Sequence, residues 1–314
     1  MKIPILFIVF NRPEQTQKVF EKIKAVRPHS LYVAADGPRQ NNAIDVENCE
    51  NVRRIFDNID WPCEIKTFFR TDNKGCKLNV SGAITWFFQN VEEGIILEDD
   101  CIVEKDFFKF CEENLAKYRD NPKVMHISAS NFQSEKYDNS YYFSIYNHIW
   151  GWASWRRAWN LYSLEQGHEE RSLLKNKLKS IFDKQRDREY WLAIYDYLSS
   201  GNLDTWDYSW MFSMWKNDGI SITPNVNLVK NIGFGQNSTH TADPNYKYAN
   251  MDILKIDWPL KHPSSIRVNQ DADQFTSDVF FNIKHSAKTL HLKIRIASLL
   301  STKFKHRLKK YLFK

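Results

Sequence analysis

The sequence contains no long hydrophobic run. Nowhere does it reach the ~18 apolar positions that a membrane-spanning helix needs. Its first apolar stretch, in MKIPILFIVFNRPE, is closed at once by Asn11, Arg12 and Pro13. That core is too short for a secretory signal and reads instead as a buried first strand. The five cysteines (Cys49, Cys63, Cys76, Cys101 and Cys111) are odd in number and lack CxxC spacing, which fits reduced thiols in a cytosol. No internal repeat or low-complexity tract occurs. The turn after the first apolar run, FIVFNRPEQT, has no glycine-rich phosphate loop. Acidic residues are absent from Lys284 onward, where ten Lys or Arg stand unopposed, so residues 1–283 hold 34 basic against 38 acidic groups. The net charge of +6 therefore belongs to the tail.

What is present is a chain of 314 residues, 42% apolar and 15% aromatic, enough to bury a large core as one big domain or one domain with an appendage. Over the first 100 residues two hydrophobic periods alternate. PILFIVF, SLYVAAD, CEIKTFFR and GIIL have strand length, and between them RPEQTQKVFEKIKAV, DVENCENVRRIFDNI and LNVSGAITWFFQNV have helical spacing. This alternation predicts an α/β fold, a mostly parallel sheet flanked by helices, with ligands at the carboxyl ends of the strands. Asn11-Arg12, Asp36 and Glu98-Asp99-Asp100 each follow an apolar strand, so they are expected to converge on one edge.

Three consecutive carboxylates at the end of a buried strand are costly unless something positive sits there. Neighbouring side chains on a strand point to opposite sides, so one acid, or two through water, would hold Mg²⁺ or Mn²⁺, with a diphosphate completing the shell. The competing arrangement is a solvated acidic turn, Asp100 or Glu104 capping the helix EKDFFKF. Downstream, KVMHISASNF reads as strand and loop. EYWLAIYDYL and the segment after Asp207 read as helices, and ISITP as a short strand. Residues 241–283 show no dominant period and are expected to wrap the domain or lead to the tail. In the tail, Ala287, Leu290, Ile294, Ala297, Phe304 and Leu308 recur at helical spacing among basic residues. Such a helix lies on an anionic membrane surface or packs on its own domain with a solvated basic face; the aliphatic stripe and acidic body argue against nucleic acid.

GIILEDDCIVEKDFFKF resembles the metal-binding strand and following helix of GT-A glycosyltransferases, most closely the Glu-Asp-Asp segment of N-acetylglucosaminyltransferases that build complex N-glycans. PILFIVFNRPEQTQKVF, ADGPR and NKG are similar to the nucleotide-binding half of that fold. WGWASWRRAW, TWDYSW and NVNLVKNIGFGQNSTHT resemble bacterial surface-polysaccharide transferases, and the resemblance covers about residues 1–242. It implies a GT-A domain with a nucleotide-sugar half (1–120) and an acceptor half (121–283); the basic amphipathic tail (284–314) follows from its own charge and spacing. The resemblance also implies a UDP-sugar donor, UDP-GlcNAc first, a Mn²⁺ or Mg²⁺ cofactor, and a saccharide or lipid-linked saccharide acceptor of a bacterial envelope glycan. The expected location is cytoplasmic, peripheral on the inner face of the membrane.

Position by position, the resemblance implies that Arg12 and Asp36 contact the uridine, Asp36 accepting from uracil N3–H. Asp100 would ligate the metal, Asp99 lie near the ribose or the metal's waters, and Glu98 lie near the donor sugar. Asp207 falls at the general base, with Asp204 three residues earlier as the other candidate, and His240 at a late metal or diphosphate ligand. Trp150, Trp152, Trp155 and Trp159 suit the faces of sugars, although Trp155 and Trp159, four apart, equally suit a helical core stripe. Asp207 has a second reading as a first-turn acid of the following helix; His126 and His148 read as core or loop residues. A sugar-nucleotide pyrophosphorylase shares the sheet and the acids but carries the phosphate loop missing here. A glycosidase needs carboxylates ~5–9.5 Å apart, which adjacent acids on one strand do not provide. A non-catalytic, membrane-associated saccharide-binding protein is the reading from a different class.

Overall fold

The computed structural model describes residues 1–164, 167–234, 247–248 and 251–284. His240 and the basic tail beyond Lys284 lie outside the described residues. Among the described residues no helix is long and apolar enough to cross a membrane, and all five cysteines are free.

Each strand of the first half is followed by a helix whose start is written in the sequence. β1 (Ile5–Val9) is buried at every position, as befits a strand covered on both faces. Pro13 opens α1 (Pro13–Val26), where its fixed φ suits the first turn and its missing N–H costs nothing; Val19, Phe20 and Ile23 form the buried stripe. β2 (Ser30–Ala35) leads to α2 (Ala43–Arg54), capped by Asn42, whose side chain accepts from the Asp45 N–H. β3 (Glu64–Phe69), α3 (Gly75–Asn90) and β4 (Glu93–Glu98) complete this half.

The second half adds β5 (Cys101–Val103), α4 (Lys105–Tyr118), β6 (Val124–Ser128), β7 (Tyr141–Ser144), β8 (Trp152–Trp155), α5 (Arg156–Trp159) and α6 (His168–Ile181). It continues through α7 (Gln185–Ser199), α8 (Asp207–Lys216), β9 (Ile220–Pro224), β10 (Val229–Asn231) and α9 (Gln270–Phe275). The main sheet has eight strands in the order β3-β2-β1-β4-β8-β6-β9-β7. β3, β2, β1 and β4 pair in parallel, as do β6 and β9, while β8 and β7 run antiparallel to their neighbours. This is the mostly parallel α/β sheet expected from the alternating periods. β10 pairs antiparallel with β5 in a separate two-stranded ribbon.

Trp155 and Trp159 do not share a helix: Trp155 ends β8 and Trp159 ends α5. All four residues of β8 are buried, because helices cover both faces of the sheet. Trp152 enters the core on the α3 side, whereas Trp155 joins the opposite core. Residues 251–269 wrap the domain, as their lack of period suggested. Trp258 Nε1 donates to Asp106 on α4 at 3.2 Å, and Ile256 and Leu260 are buried.

His126, on β6, is fully buried and stacked on Trp152, with ring centroids 4.8 Å apart. Trp210 Nε1 donates to its Nδ1 at 3.2 Å, so Nε2 carries the proton and donates to the His148 carbonyl at 3.0 Å. Burial lowers the His126 pKa to about 3; burial, then repulsion from His126, does the same for His148. Both imidazoles are neutral in the fold but take up a proton in the unfolded chain below about pH 6.5. Each imidazole therefore contributes a fall in stability as pH drops below about 6.5, by about 1.4 kcal/mol per pH unit. The buried carboxyls of Asp273 and Asp99, raised to about 7 and about 6, take up protons in the fold and work the other way. Urea unfolding of the protein and of His148→Phe between about pH 7 and pH 5 isolates the histidine contribution: the variant should lose less stability as pH falls, and parallel curves would contradict it.

Candidate functional site

The strand register sets the site. Ile8 lies opposite Glu98 and Val9 opposite Ala35, so β1, β2 and β4 end level with one another. Arg12, Asp36 and the acidic turn Asp99-Asp100 leave the sheet side by side.

The positive group that the three acids require is Arg12. Its Nη2 donates to Asp99 Oδ1 and, at 3.1 Å, to Asp100 Oδ2, while Nε reaches Asp99 Oδ2 at 3.3 Å. Burial works against the Arg12 charge, but Asp99 and Asp100 outweigh it and raise its proton affinity. Asp99 is only 3% exposed. Burial raises its pKa, Arg12 opposes that rise, and Asp100 adds to it. Arg12 is thus the ion-pair partner of the acidic turn. Removing the guanidinium would strand a buried carboxylate. Arg12→Met should cost about 3–5 kcal/mol in chemical denaturation, and adding Asp99→Asn should recover most of the loss. If the single variant unfolds at the wild-type midpoint, the ion pair does not hold the turn.

Asp36 is likewise engaged within the protein. Its carboxylate accepts the backbone N–H of Gly37 at 3.0 Å, Lys74 at 2.9 Å and Gly75 at 3.1 Å, tying the end of β2 to the start of α3. Burial raises its pKa and those N–H groups oppose the rise. Asp36 is 4% exposed, and three amides on its carboxylate make it the tie of this junction. The same tight junction requires Gly37: a Cβ there would stand 2.5 Å from the Asp72 backbone. Beside it, Asn11 Nδ2 donates to Asp45 at 2.7 Å, and Arg39 pairs with the same carboxylate. Hydrogen bonding from Arg39 lowers the Asp45 pKa to about 2. The sequence showed Asp45 only as one acid of a polar helix.

Past Asp36, four other carboxylates gather. Burial, followed by repulsion from Asp100 and Asp99, raises the Glu98 pKa, and Asp207 contributes too. The thiol of Cys76, in the first turn of α3, is pushed up by burial and then by Glu98, Asp207, Asp204 and Asp100. One half-buried thiol therefore feels acids from the end of β4, the turn after it and the start of α8. Cys76 was read only for its place in the cysteine count; its position after NKG was the available signal. Asp204 approaches Gly75, whose φ of 75° demands glycine, and a Cβ there would lie 3.1 Å from Asp204 Oδ2.

Asp207 opens α8 and is half-buried. It accepts from Thr205 Oγ1 and, at 2.8 Å, from the Tyr208 N–H, so it is a first-turn acid by position while sharing the cluster of Glu98 and Cys76. Its neighbour Trp206 stacks on Trp152 with centroids 5.7 Å apart. Trp152 is 0% exposed, so it offers no face to a sugar; it is a core residue that fixes the start of α8. Trp150 remains half-buried, edge-on to Phe132 and Phe234.

The ribbon β5-β10 closes the site. Ile232 N donates to the Asp100 carbonyl at 2.8 Å, and a Cβ on Gly233 would fall 2.1 Å from Asp100 Oδ2, so the chain leaving β10 passes directly over that carboxylate. Glu104, at the start of α4, makes no side-chain cap. Among the described residues no three His, Cys, Asp or Glu side chains form a ready metal cage. The turn offers oxygen donors and keeps three carboxylates against one guanidinium. That suits Mg²⁺ or Mn²⁺, held by one or two carboxylates with substrate phosphates and water completing the shell. His240 lies outside the described residues and is not placed.

No family model matches the sequence, and no curated protein matches it. Among solved structures, the chain is similar to the galactosyltransferase LgtC in complex with donor and acceptor sugar analogues, at 10% identity and a TM-score of 0.39, over 90% of this chain and 96% of that one. It is similar to residues 1–349 of S. aureus TarS at 9% identity and a TM-score of 0.39, over 72% of this chain and 58% of that one. UDP-glucose pyrophosphorylase complexed with UDP-glucose aligns at 11% identity and a TM-score of 0.25, over 43% and 66%. At such values the chemistry rests on the site itself.

Proposed function

We propose that this chain is a metal-dependent glycosyltransferase that moves a sugar from a UDP-sugar to a hydroxyl of a saccharide acceptor. The observation that carries the reading is the level ending of β1, β2 and β4, which puts Glu98 and Asp100 at one edge with Asp100 under Gly233, Asp204 beside Gly75 next to Cys76, and Asp207 at the start of α8. Sugar transfer needs two things there: a place to neutralise a leaving diphosphate, and a separate carboxylate for the acceptor proton. Asp100, under Gly233, would hold Mn²⁺ or Mg²⁺, which when bound supplies the charge neutralisation. Arg12 fixes the turn so that Asp100 faces the site rather than solvent. Glu98 stands where the donor sugar would lie.

Asp207 is the better-placed base. Trp206 and Trp152 anchor its helix start, and the Thr205 hydroxyl and Tyr208 N–H orient its carboxylate. In an inverting displacement the acceptor oxygen bonds to the anomeric carbon and its proton passes to Asp207. The bond from that carbon to the diphosphate breaks, and its electron pair leaves with UDP. Asp204, exposed beside Gly75, is the alternative base. The three-residue turn between β1 and α1, with its arginine held by the acids, leaves no loop for a triphosphate, which disfavours a pyrophosphorylase.

UDP-GlcNAc is the first donor to try, and a lipid-linked saccharide of a bacterial envelope glycan the first acceptor class. A basic tail on an anionic membrane surface would bring enzyme and acceptor together. Calorimetric titration with UDP, with and without Mn²⁺, tests the reading. Metal-dependent binding is expected; no heat in either condition would sink it.

A further inference from the structure

A cavity of about 190 Å³ opens on the outer edge of β7, away from the acidic turn. Two backbone clamps frame it. At one end Ser140 N donates to the Lys261 carbonyl at 2.9 Å and Lys261 N to Ser140 Oγ at 2.8 Å. At the other, Asn269 N donates to the Phe143 carbonyl at 2.8 Å, and Phe143 bridges to Val268. Between these clamps the wrapping segment and β7 enclose the cavity. Its rim carries Tyr137, Asn139, Tyr142, Ser264, Ser265 and Arg267.

Both walls are held in place. Asn225 Oδ1 accepts from the Tyr137 N–H at 2.9 Å, and its amide donates back to the Tyr137 carbonyl. Tyr137 meets Tyr142 edge-on with centroids 5.1 Å apart. On the other wall His262 Nδ1 hydrogen-bonds the Tyr141 hydroxyl at 2.8 Å, while its Nε2 lies 3.2 Å from Glu113. Asn139, Ser264, Ser265 and Arg267, by contrast, make no hydrogen bond or ion pair among the described residues. The pocket thus combines preorganised aromatic walls with an amide, two hydroxyls and a guanidinium that no group among the described residues uses.

We infer that this pocket binds a single neutral pyranose ring. Such a ring presents an apolar C–H face to an aromatic and a rim of hydroxyls to amides, serines and arginine. The volume equals roughly six waters' share of liquid, enough for one ring and well under the ~300 Å³ where sites for larger ligands begin. Charge argues for a neutral ligand: after burial, the groups that raise the Tyr137 pKa are Glu135, Asp271 and Asp273, so Arg267 does not stand in a cationic field. Tyr141 pairs with Pro224 at the carboxyl end of β9, which puts the pocket on the same edge of the sheet as Asp100. Four strand spacings separate β7 from β4, about 19 Å. On the transferase reading, on which this last step rests, the ring is a distal unit of a growing acceptor.

Saturation-transfer NMR on the full chain, with N-acetylglucosamine, glucose and galactose as probes and UDP plus diamagnetic Mg²⁺ in excess, tests the pocket. Arg267→Ala removes the guanidinium and Ser265→Trp blocks the opening; both positions are exposed, and circular dichroism checks the fold. At least one sugar should give a signal that survives UDP and falls about tenfold in both variants. No signal from any of the three, displacement by UDP, or an unchanged signal in the variants would overturn the site. UDP affinity, read on the same samples, reports separately on the transferase reading: its absence sinks that reading while a variant-sensitive sugar signal keeps the pocket.

Discussion

Asp100→Asn should remove metal-dependent UDP binding and lower sugar transfer by about 10³-fold or more, the several kcal/mol that a Lewis acid supplies at a leaving diphosphate. The substitution is nearly isosteric. It leaves the backbone carbonyl that accepts from Ile232 N, and its side-chain oxygen can still accept from Arg12. Asp99 retains its own pair with Arg12, so the turn and the unfolding midpoint should change little. The loss should therefore fall on binding and turnover together while the circular dichroism spectrum is preserved. A variant that binds UDP as the parent does with Mn²⁺ would show that Asp100 is only an acid of the turn before α4.

Asp207→Asn should separate from that pattern. A base that takes the acceptor proton as the new bond forms contributes ~10²–10⁴-fold to turnover and nothing to holding UDP. The variant should keep its UDP affinity and its KM for the donor while kcat falls by that factor. Asparagine can still accept from Thr205 and from the Tyr208 N–H, so the start of α8 should stay in place. Asp204→Asn serves as the comparison: its side chain is exposed and makes no hydrogen bond among the described residues. If Asp204→Asn, rather than Asp207→Asn, shows the selective fall in kcat, the roles of the two acids are exchanged. If neither moves kcat, deprotonation by either acid is excluded as the reaction's assistance.

The edge where these groups meet was legible in the sequence because a strand followed by an acid needs no tertiary information: Asp36 and Glu98-Asp99-Asp100 stand where apolar runs stop. What the acids bind was not legible. Asp36 is claimed by amides at Lys74 and Gly75, and Asp99 by a guanidinium 87 residues earlier in the chain. Both partners are set by strand order, which no local pattern specifies. The burial of Trp152 was hidden for a related reason. In a strand covered on both faces every position is buried, so the spacing of Trp152 and Trp155 does not reveal which core each ring enters, or that Trp150, just before the strand, stays accessible. The helix assigned to Trp155 and Trp159 arose from a four-residue spacing that happens to span the β8–α5 boundary.

The place of β4 in the sheet bears on synthesis. β4 is central, yet the neighbour on its second side, β8, begins only at Trp152, after the acidic turn, α4, β6 and β7 have been made. At ~5–20 residues per second, roughly 3–10 s pass on the ribosome between completion of β4 and the appearance of its partner. Through that interval a β3-β2-β1-β4 unit formed on the nascent chain would present the unpaired backbone of Glu93, Gly94, Ile95 and Ile96, which β8 covers in the finished fold. Chaperone contact should be concentrated on that edge, and slowing translation between residues 99 and 151 should lower the soluble yield more than slowing it after residue 224.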